Sequence, residues 1–107
     1  MIILITGASG LLGHDLIKNL SRNHKIFAIY WTKKPFLNSK NKNVYWIKYD
    51  LSKKINLKIN PTAIINCVAV HELSRKKEIK NYLESNIFAM INLIDFAKKK
   101  KVKKIIN

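Results

Sequence analysis

Several residue types are scarce in this chain. Its 107 residues include one cysteine, two prolines and three glycines, and six acidic residues stand against 21 lysines and arginines. A single cysteine cannot form a disulfide framework and is typical of a reducing compartment, so we expect a cytoplasmic location. No apolar run approaches the roughly 20 residues that span a bilayer, and no basic region precedes an apolar one at the amino terminus. We therefore expect no membrane segment and no signal peptide.

The scarcity of acidic residues leaves a net charge of +15. Such a charge raises the hypothesis of a nucleic-acid-binding domain. Only two of the 21 cations are arginines, the residue type that best binds phosphate in a bidentate manner. The longest lysine run, 98–101, falls at a predicted helix end, where cations complement the helix dipole. We therefore favour a solvated lysine surface and keep nucleic-acid binding as a less favoured alternative.

The remaining composition describes a folded domain. Apolar residues make up 48% of the chain, which is enough for a buried core. The length fits one domain over residues 1–107. Continuous apolar runs predict strands at 2–5, 26–31, 44–49, 63–70 and 102–107, and helical spacing predicts helices from Leu11 and over 79–100. Strands that alternate with helices predict an α/β fold with a parallel sheet. In the second helix, one apolar stripe is expected to face the core, and it comprises Leu83, Ile87, Met90, Ile94 and Ala97.

All three glycines lie within seven positions, between the first strand and the first helix. In this context Gly7 permits a tight turn, Gly10 lets a pyrophosphate approach the backbone, and Gly13 permits close packing of helix on strand. The free N–H groups at the start of the helix would then face the phosphates. The alternative is a tight strand-to-helix turn without a ligand.

The segment 3–13, ILITGASGLLG, resembles the opening of extended short-chain dehydrogenase/reductases. That family includes the NAD-dependent epimerase/dehydratases and the dTDP-4-dehydrorhamnose reductases, which act on nucleotide sugars. The resemblance implies a Rossmann-like, doubly wound parallel sheet. It also implies that the loop binds a dinucleotide cofactor, through Gly7, Gly10, Leu11, Leu12 and Gly13.

Later segments match the same family in the expected order. Asp50 and Leu51 resemble the pair that holds the adenine, although Asp50 is also a candidate strand end or helix cap. Residues 63–69 resemble the fourth strand, which ends beside the cofactor and here would place Cys67, Val68 and Ala69 there. Asn86 resembles the asparagine of a family helix, where bracing the site and contacting the cofactor are equally open roles.

The resemblance covers essentially all 107 residues but only the first part of a family member. We therefore expect a chain that ends in or after its fifth strand. A nucleotide-sugar substrate would be bound only if a C-terminal portion exists.

The identity of the cofactor depends on the end of the second strand. An acidic residue about 20 positions after the glycine loop accepts hydrogen bonds from the ribose of NAD. Here the strand runs into Thr32, Lys33 and Lys34 without an acid, and the two lysines are suited to a 2′-phosphate. This pattern favours NADP(H) over NAD(H), with Thr32 and Lys33 as cofactor-binding residues.

Catalytic and metal-binding residues are not expected in these 107 residues. The family relies on a Tyr-x-x-x-Lys pair on the helix after the fifth strand. Tyr30–Lys34 and Tyr49–Lys53 have that spacing, but in so lysine-rich a chain the spacing arises by chance, and both tyrosines fall at predicted strand ends. The histidines and Cys67 share no metal-ligand spacing, and Cys67 reads as a buried strand residue rather than a nucleophile.

The leading hypothesis is therefore the dinucleotide-binding portion of an NAD(P)-dependent nucleotide-sugar epimerase, dehydratase or reductase. A non-catalytic NAD(P)-sensing module is the first alternative. A basic nucleic-acid-binding domain is the second.

Overall fold

A computed structural model describes residues 1–31, 41–67 and 79–107, with the backbone alone for 79–85. Within these ranges five strands alternate with two helices: β1 (Ile2–Thr6), α1 (Leu11–Leu20), β2 (Lys25–Tyr30), β3 (Val44–Lys48), β4 (Ala63–Asn66), α2 (Ile79–Lys100) and β5 (Lys104–Ile106). The predicted elements are all present. The strands begin or end within a few residues of the predicted bounds, except that residues 68–70 of the predicted fourth strand lie outside the described ranges.

The strands form one parallel sheet in the order β3-β2-β1-β4-β5. Ile3 of β1 pairs with Ile26 of β2 on one side and with Ala63 of β4 on the other. The chain therefore moves outward from the centre in both directions. Since crossovers between parallel strands are right-handed, the helices of the two halves lie on opposite faces. The predicted doubly wound, Rossmann-like α/β architecture is confirmed.

Each face of the sheet has its own buried core. Alternate residues of β1 separate the two, because successive side chains of a strand point to opposite faces. Leu4 packs with Ile64, Leu93 and Phe96 on the α2 face. Ile3 and Ile5 belong to the second core, on the α1 face, with Ile17, Ile26 and Ala28. Central strands that are covered on both sides explain why β1 and β4 read as continuous apolar runs.

The orientation of α2 differs from the predicted stripe. Its buried line comprises Ala89, Leu93, Phe96 and Ala97. Ile87 is 54% exposed and Ile94 39% exposed, so this part of the predicted stripe is wrong by about one residue of helix rotation. Both lines have helical spacing, so periodicity cannot choose between them. The observed line places the small side chains of Ala89 and Ala97 against the sheet, with Phe96 as the large buried group.

No helix among the described residues is long and apolar enough to cross a membrane.

Two phenylalanines of α2 provide a matched test of this orientation. Phe96 is 2% exposed and Phe88 is 51% exposed. We expect Phe96→Ala to lower the free energy of unfolding by about 3–5 kcal/mol, because it leaves a cavity between α2 and the sheet. Phe88→Ala should lower it by less than about 1 kcal/mol. Urea unfolding followed by circular dichroism measures both. Equal losses would contradict the observed rotation of α2.

Candidate functional site

The candidate site lies at the carboxyl ends of the central strands. The strand order reverses between β1 and β4, because the chain moves from β1 to β2 on one side and from β4 to β5 on the other. Helices α1 and α2, which come after β1 and β4 in the chain, pack on opposite faces of the sheet, an arrangement that in open α/β sheets leaves a crevice between the two strand ends. In open α/β sheets this crevice is where ligands bind.

The glycine loop leaves β1 directly at this crevice. Gly7 has a φ of +63°, a left-handed conformation that L side chains rarely adopt. The Gly10 amide donates a hydrogen bond to the Gly7 carbonyl oxygen at 3.1 Å, which closes the turn. The Ala8 amide donates to the Ile29 carbonyl oxygen at 3.0 Å, which fastens the loop to the end of β2. The loop is therefore held by its own backbone and by the neighbouring strand.

Gly10 and Gly13 are glycines for different reasons. A Cβ atom at Gly13 would lie 2.6 Å from the Gly7 carbonyl oxygen and 2.7 Å from the Ala8 Cα atom. Both are backbone atoms, so the fold itself excludes a side chain there. A Cβ atom at Gly10 would lie 3.4 Å from the Gly7 carbonyl oxygen, which is an ordinary contact. Packing within the protein therefore does not require glycine at position 10.

Helix α1 begins without the usual side-chain cap. Gly10 is its N-cap residue, and no acidic residue lies in its first turn. The first N–H groups of a helix have no partner within the helix, and the helix dipole makes this end favourable for an anion. Leu11 is 88% exposed and Leu12 62% exposed, so two apolar side chains flank this helix end. The arrangement is suited to a phosphate group beside an apolar part of the same ligand.

Polar side chains connect the ends of three adjacent strands at this edge. The Thr6 hydroxyl donates to Asn66 Oδ1 at 2.5 Å, and Asn66 Nδ2 donates to Asn107 Oδ1 at 2.9 Å. Thr6 is completely buried, so its hydroxyl needs such a partner. The contact depends on the β1–β4 register, in which Thr6 lies opposite Asn66. Sequence analysis did not identify this connection, because the residues are 60 positions apart.

Cys67 follows β4 at the same edge. Its amide donates to the Thr6 carbonyl oxygen at 3.1 Å, and its half-buried side chain packs against the core on the α1 face. Burial raises the pKa of the Cys67 thiol. A raised pKa keeps the thiol protonated, which disfavours a role as nucleophile. Cys67 is half-buried and follows β4, so it is not the buried strand residue that was expected.

The Asp50–Leu51 pair divides its two side chains between turn and core. The Asp50 carboxylate accepts hydrogen bonds from the Ser52 hydroxyl at 2.7 Å and the Ser52 amide at 3.0 Å. These bonds, with the charge of Lys53, hold the pKa of Asp50 below its usual range. Leu51 is 8% exposed and packs in the core on the α2 face. A cofactor contact at Leu51 would therefore come from its backbone.

Helix α2 contributes one polar contact to this region that sequence analysis missed. Asn92 Nδ2 donates to the Leu51 carbonyl oxygen at 2.7 Å and ties the turn after β3 to the helix. Asn86, the residue selected from the family resemblance, is exposed on α2. Asn92 could have been found as a polar residue beside the buried face of α2, but only if the rotation of the helix had been known.

Several expected site residues lie outside the described residues. These are Thr32, Lys33, Lys34, Val68 and Ala69. The described residues include no group of three or more histidine, cysteine, aspartate or glutamate side chains that could hold a metal ion.

The two tyrosines with the Tyr-x-x-x-Lys spacing have structural contacts. The Tyr49 hydroxyl donates to the Lys54 carbonyl oxygen and accepts from the Asn56 amide at 3.1 Å, within the connection after β3. The Tyr30 ring packs edge-on against Trp46, with 6.2 Å between the ring centroids.

A parallel sheet of this order, with helices on both faces and a glycine loop at the reversal point, defines a Rossmann-like protein. The chain belongs to the NAD dependent epimerase/dehydratase family, whose model matches residues 3–107. None of the curated protein sequences compared with this chain matches it.

Solved structures share the fold at low sequence identity. A UDP-galactose 4-epimerase superposes with a TM-score of 0.84 at 18% identity, over 98% of this chain and 36% of its own. A UDP-N-acetylglucosamine 4-epimerase from Methanobrevibacter ruminantium M1, in complex with UDP-N-acetylmuramic acid, superposes with a TM-score of 0.79 at 21% identity, over 96% and 36%. A short chain dehydrogenase from Leptospira borgpetersenii serovar Hardjo-bovis (Strain JB197) with bound NAD+ gives 0.76 at 23%, over 98% and 49%. The chain thus spans between about a third and a half of these three structures.

Serine substitutions separate the two roles assigned to Gly10 and Gly13. Serine is a favoured N-cap residue, so Gly10→Ser should leave the free energy of unfolding unchanged or raise it by a few tenths of a kcal/mol. Gly13→Ser should lower it by about 1–3 kcal/mol or prevent folding, because its Cβ atom meets backbone. Urea unfolding of both variants provides the measurement. A Gly10→Ser protein as destabilised as Gly13→Ser would refute the distinction.

Proposed function

We propose that this chain is the dinucleotide-binding portion of an NAD(P)-dependent epimerase, dehydratase or reductase that acts on a nucleotide sugar. Membership of the epimerase/dehydratase family supports the class of enzyme. The observation that carries the proposal is the glycine at position 10. The fold leaves room for a side chain there, whereas a pyrophosphate lying against the backbone would not.

In this proposal the loop and the start of α1 bind the pyrophosphate. The amides of Leu11, Leu12 and Gly13 belong to the first turn of a helix that lacks a capping side chain and an acidic residue, so they remain suited to an anion. The apolar side chains of Leu11 and Leu12 flank the cofactor. When bound, the nicotinamide would supply hydride transfer to and from the sugar.

The remaining cofactor contacts follow the two directions of the crevice. On the β2–β3 side we assign Asp50 and Leu51 to the adenine, and Thr32 and Lys33, which are outside the described residues, to the ribose. On the β4 side we assign Cys67, with Val68 and Ala69 from outside the described residues, to contacts along the cofactor, and Asn86 to a cofactor contact or to bracing this side. We assign no catalytic residue to these 107 residues, and the sugar-binding part would be supplied by a further portion of the protein.

A charge placed at Gly10 tests the pyrophosphate site. Aspartate is a favoured N-cap residue, so Gly10→Asp should fold as well as the original chain. Its carboxylate would occupy the position of the pyrophosphate and repel its charge. We therefore expect the affinity for NADP+ and NAD+, measured by isothermal titration calorimetry, to fall at least about tenfold. Asn23→Asp, which adds the same charge at an exposed position after α1, should change the affinity by less than about twofold. Unchanged binding by Gly10→Asp would overturn the proposal.

The preference for NADP(H) over NAD(H) is a separate part of the proposal. It is supported by the sequence between Asp15 and Asp50, which contains no acidic residue to bind a ribose 2′-hydroxyl group. Replacing both Lys33 and Lys34 with alanine should weaken NADP+ about tenfold, because a 2′-phosphate loses its cationic partners, and should leave NAD+ within about twofold. Titration calorimetry with both dinucleotides measures the difference. An equal loss for NAD+ would refute this preference.

A further inference from the structure

An exposed tryptophan stands at the edge where the proposed cofactor would bind. Trp31 directly follows β2 and is 50% exposed. The carbonyl oxygen of Ile29, two residues before Trp31, accepts a hydrogen bond from the Ala8 amide of the glycine loop at 3.0 Å. The indole is therefore tied, through two residues of backbone, to the loop that is proposed to bind the pyrophosphate. Contact between this large apolar side chain and water does not stabilise the fold.

Lys48 lies over this tryptophan. It is the last residue of β3 and pairs in register with Tyr30, the residue before Trp31. Its Nζ atom is 5.5 Å from the centroid of the Trp31 ring, within the range of a cation–π interaction. An exposed lysine is otherwise free to adopt many rotamers, so this contact keeps a positive charge beside an aromatic face at the carboxyl edge of the sheet.

The second tryptophan, Trp46, has different surroundings from Trp31. Trp46 is half-buried, and its ring lies 5.9 Å from His14 and 6.2 Å from Tyr30 between centroids. It packs against the core on the α1 face. The described ring contacts of Trp31 involve only Lys48. Trp46 therefore has a packing role, whereas Trp31 is half-exposed within the described part of the chain.

An aromatic face, a cation and one carboxylate lie at this edge of the sheet. Asp50, which follows β3 by two residues, already accepts two hydrogen bonds from Ser52. An aromatic face can stack on a nucleobase, and a lysine beside it can pair with a phosphate attached to the same nucleoside. The combination matches the chemistry of an adenosine that carries a 2′-phosphate.

We propose that Trp31 and Lys48 bind the adenosine half of the cofactor, with the Trp31 indole against the adenine and the Lys48 ammonium group on the 2′-phosphate. This inference rests on the proposed dinucleotide-binding function and adds two residues that determine its specificity. Lys48 reaches the site from β3, so its contribution is independent of the lysines that follow β2.

The experiment uses the 107-residue chain with Trp46→Phe, which leaves Trp31 as the one tryptophan. Titration with NADP+ should quench Trp31 fluorescence, because stacking on adenine changes the surroundings of the indole. In this background Lys48→Gln should weaken NADP+ about tenfold and NAD+ by less than about twofold. Trp31→Leu, measured by calorimetry, should weaken both dinucleotides about tenfold, because each contains the adenine.

Lys42→Gln is the matched control. Lys42 is exposed and precedes β3, so it lies toward the opposite end of the same strand. The Lys42→Gln substitution should leave both affinities within about twofold. Equal effects of Lys42→Gln and Lys48→Gln would show that Lys48 acts only through general charge attraction, and would overturn the inference. The absence of Trp31 quenching on saturation with NADP+ would also overturn it. If neither NADP+ nor NAD+ binds the unsubstituted chain by calorimetry, the proposed function itself fails.

Discussion

The close approach of α1 to the backbone that leaves β1 is the constraint on which the site depends. At Gly13 the helix lies so near Gly7 and Ala8 that a single methyl group would meet backbone at 2.6–2.8 Å. Close packing lets the helix begin immediately after the turn, at the carboxyl edge of the central strand. The left-handed conformation at Gly7 reverses the chain within that short distance. The same geometry brings Ala8 within hydrogen-bonding distance of β2, so the loop, the helix start and the neighbouring strand form one unit.

The elements that could be predicted from the sequence are those marked by local signals. Three clustered glycines between an apolar run and a helical pattern predicted the loop, and alternating strands and helices predicted the parallel sheet. The rotation of α2 could not be predicted, because its apolar residues follow two adjacent lines and only contact with the sheet selects Phe96 over Ile94. The contacts of Asn66 and Asn92 were likewise inaccessible, since they join residues 60 and 41 positions apart in sequence. Strand register and helix rotation determine such pairs, and neither is encoded locally.

The charge of the chain acts at a longer range than the site. With 21 cations against six acids, the whole surface attracts anions, and this attraction is screened over about 8 Å at physiological ionic strength. It cannot distinguish a dinucleotide from any other polyanion. Discrimination requires groups held at fixed positions, such as a helix start without a cap or a lysine held against an indole. The excess of lysine therefore explains attraction, and only the few cations ordered by a neighbouring side chain can explain selectivity.

The two halves of the crevice are stabilised by different interactions. On the β4–β5 side, side-chain hydrogen bonds run from buried Thr6 through Asn66 to Asn107, and no buried side-chain polar atom within the described ranges lacks a partner. The bond at Thr6 restricts its rotamer, because breaking it would leave a buried hydroxyl unsatisfied. On the β2–β3 side the contact between Trp31 and Lys48 is exposed and non-directional by comparison. The two sides of the crevice thus differ in the interaction that orders their side chains, which is hydrogen bonding on one and a cation–aromatic contact on the other.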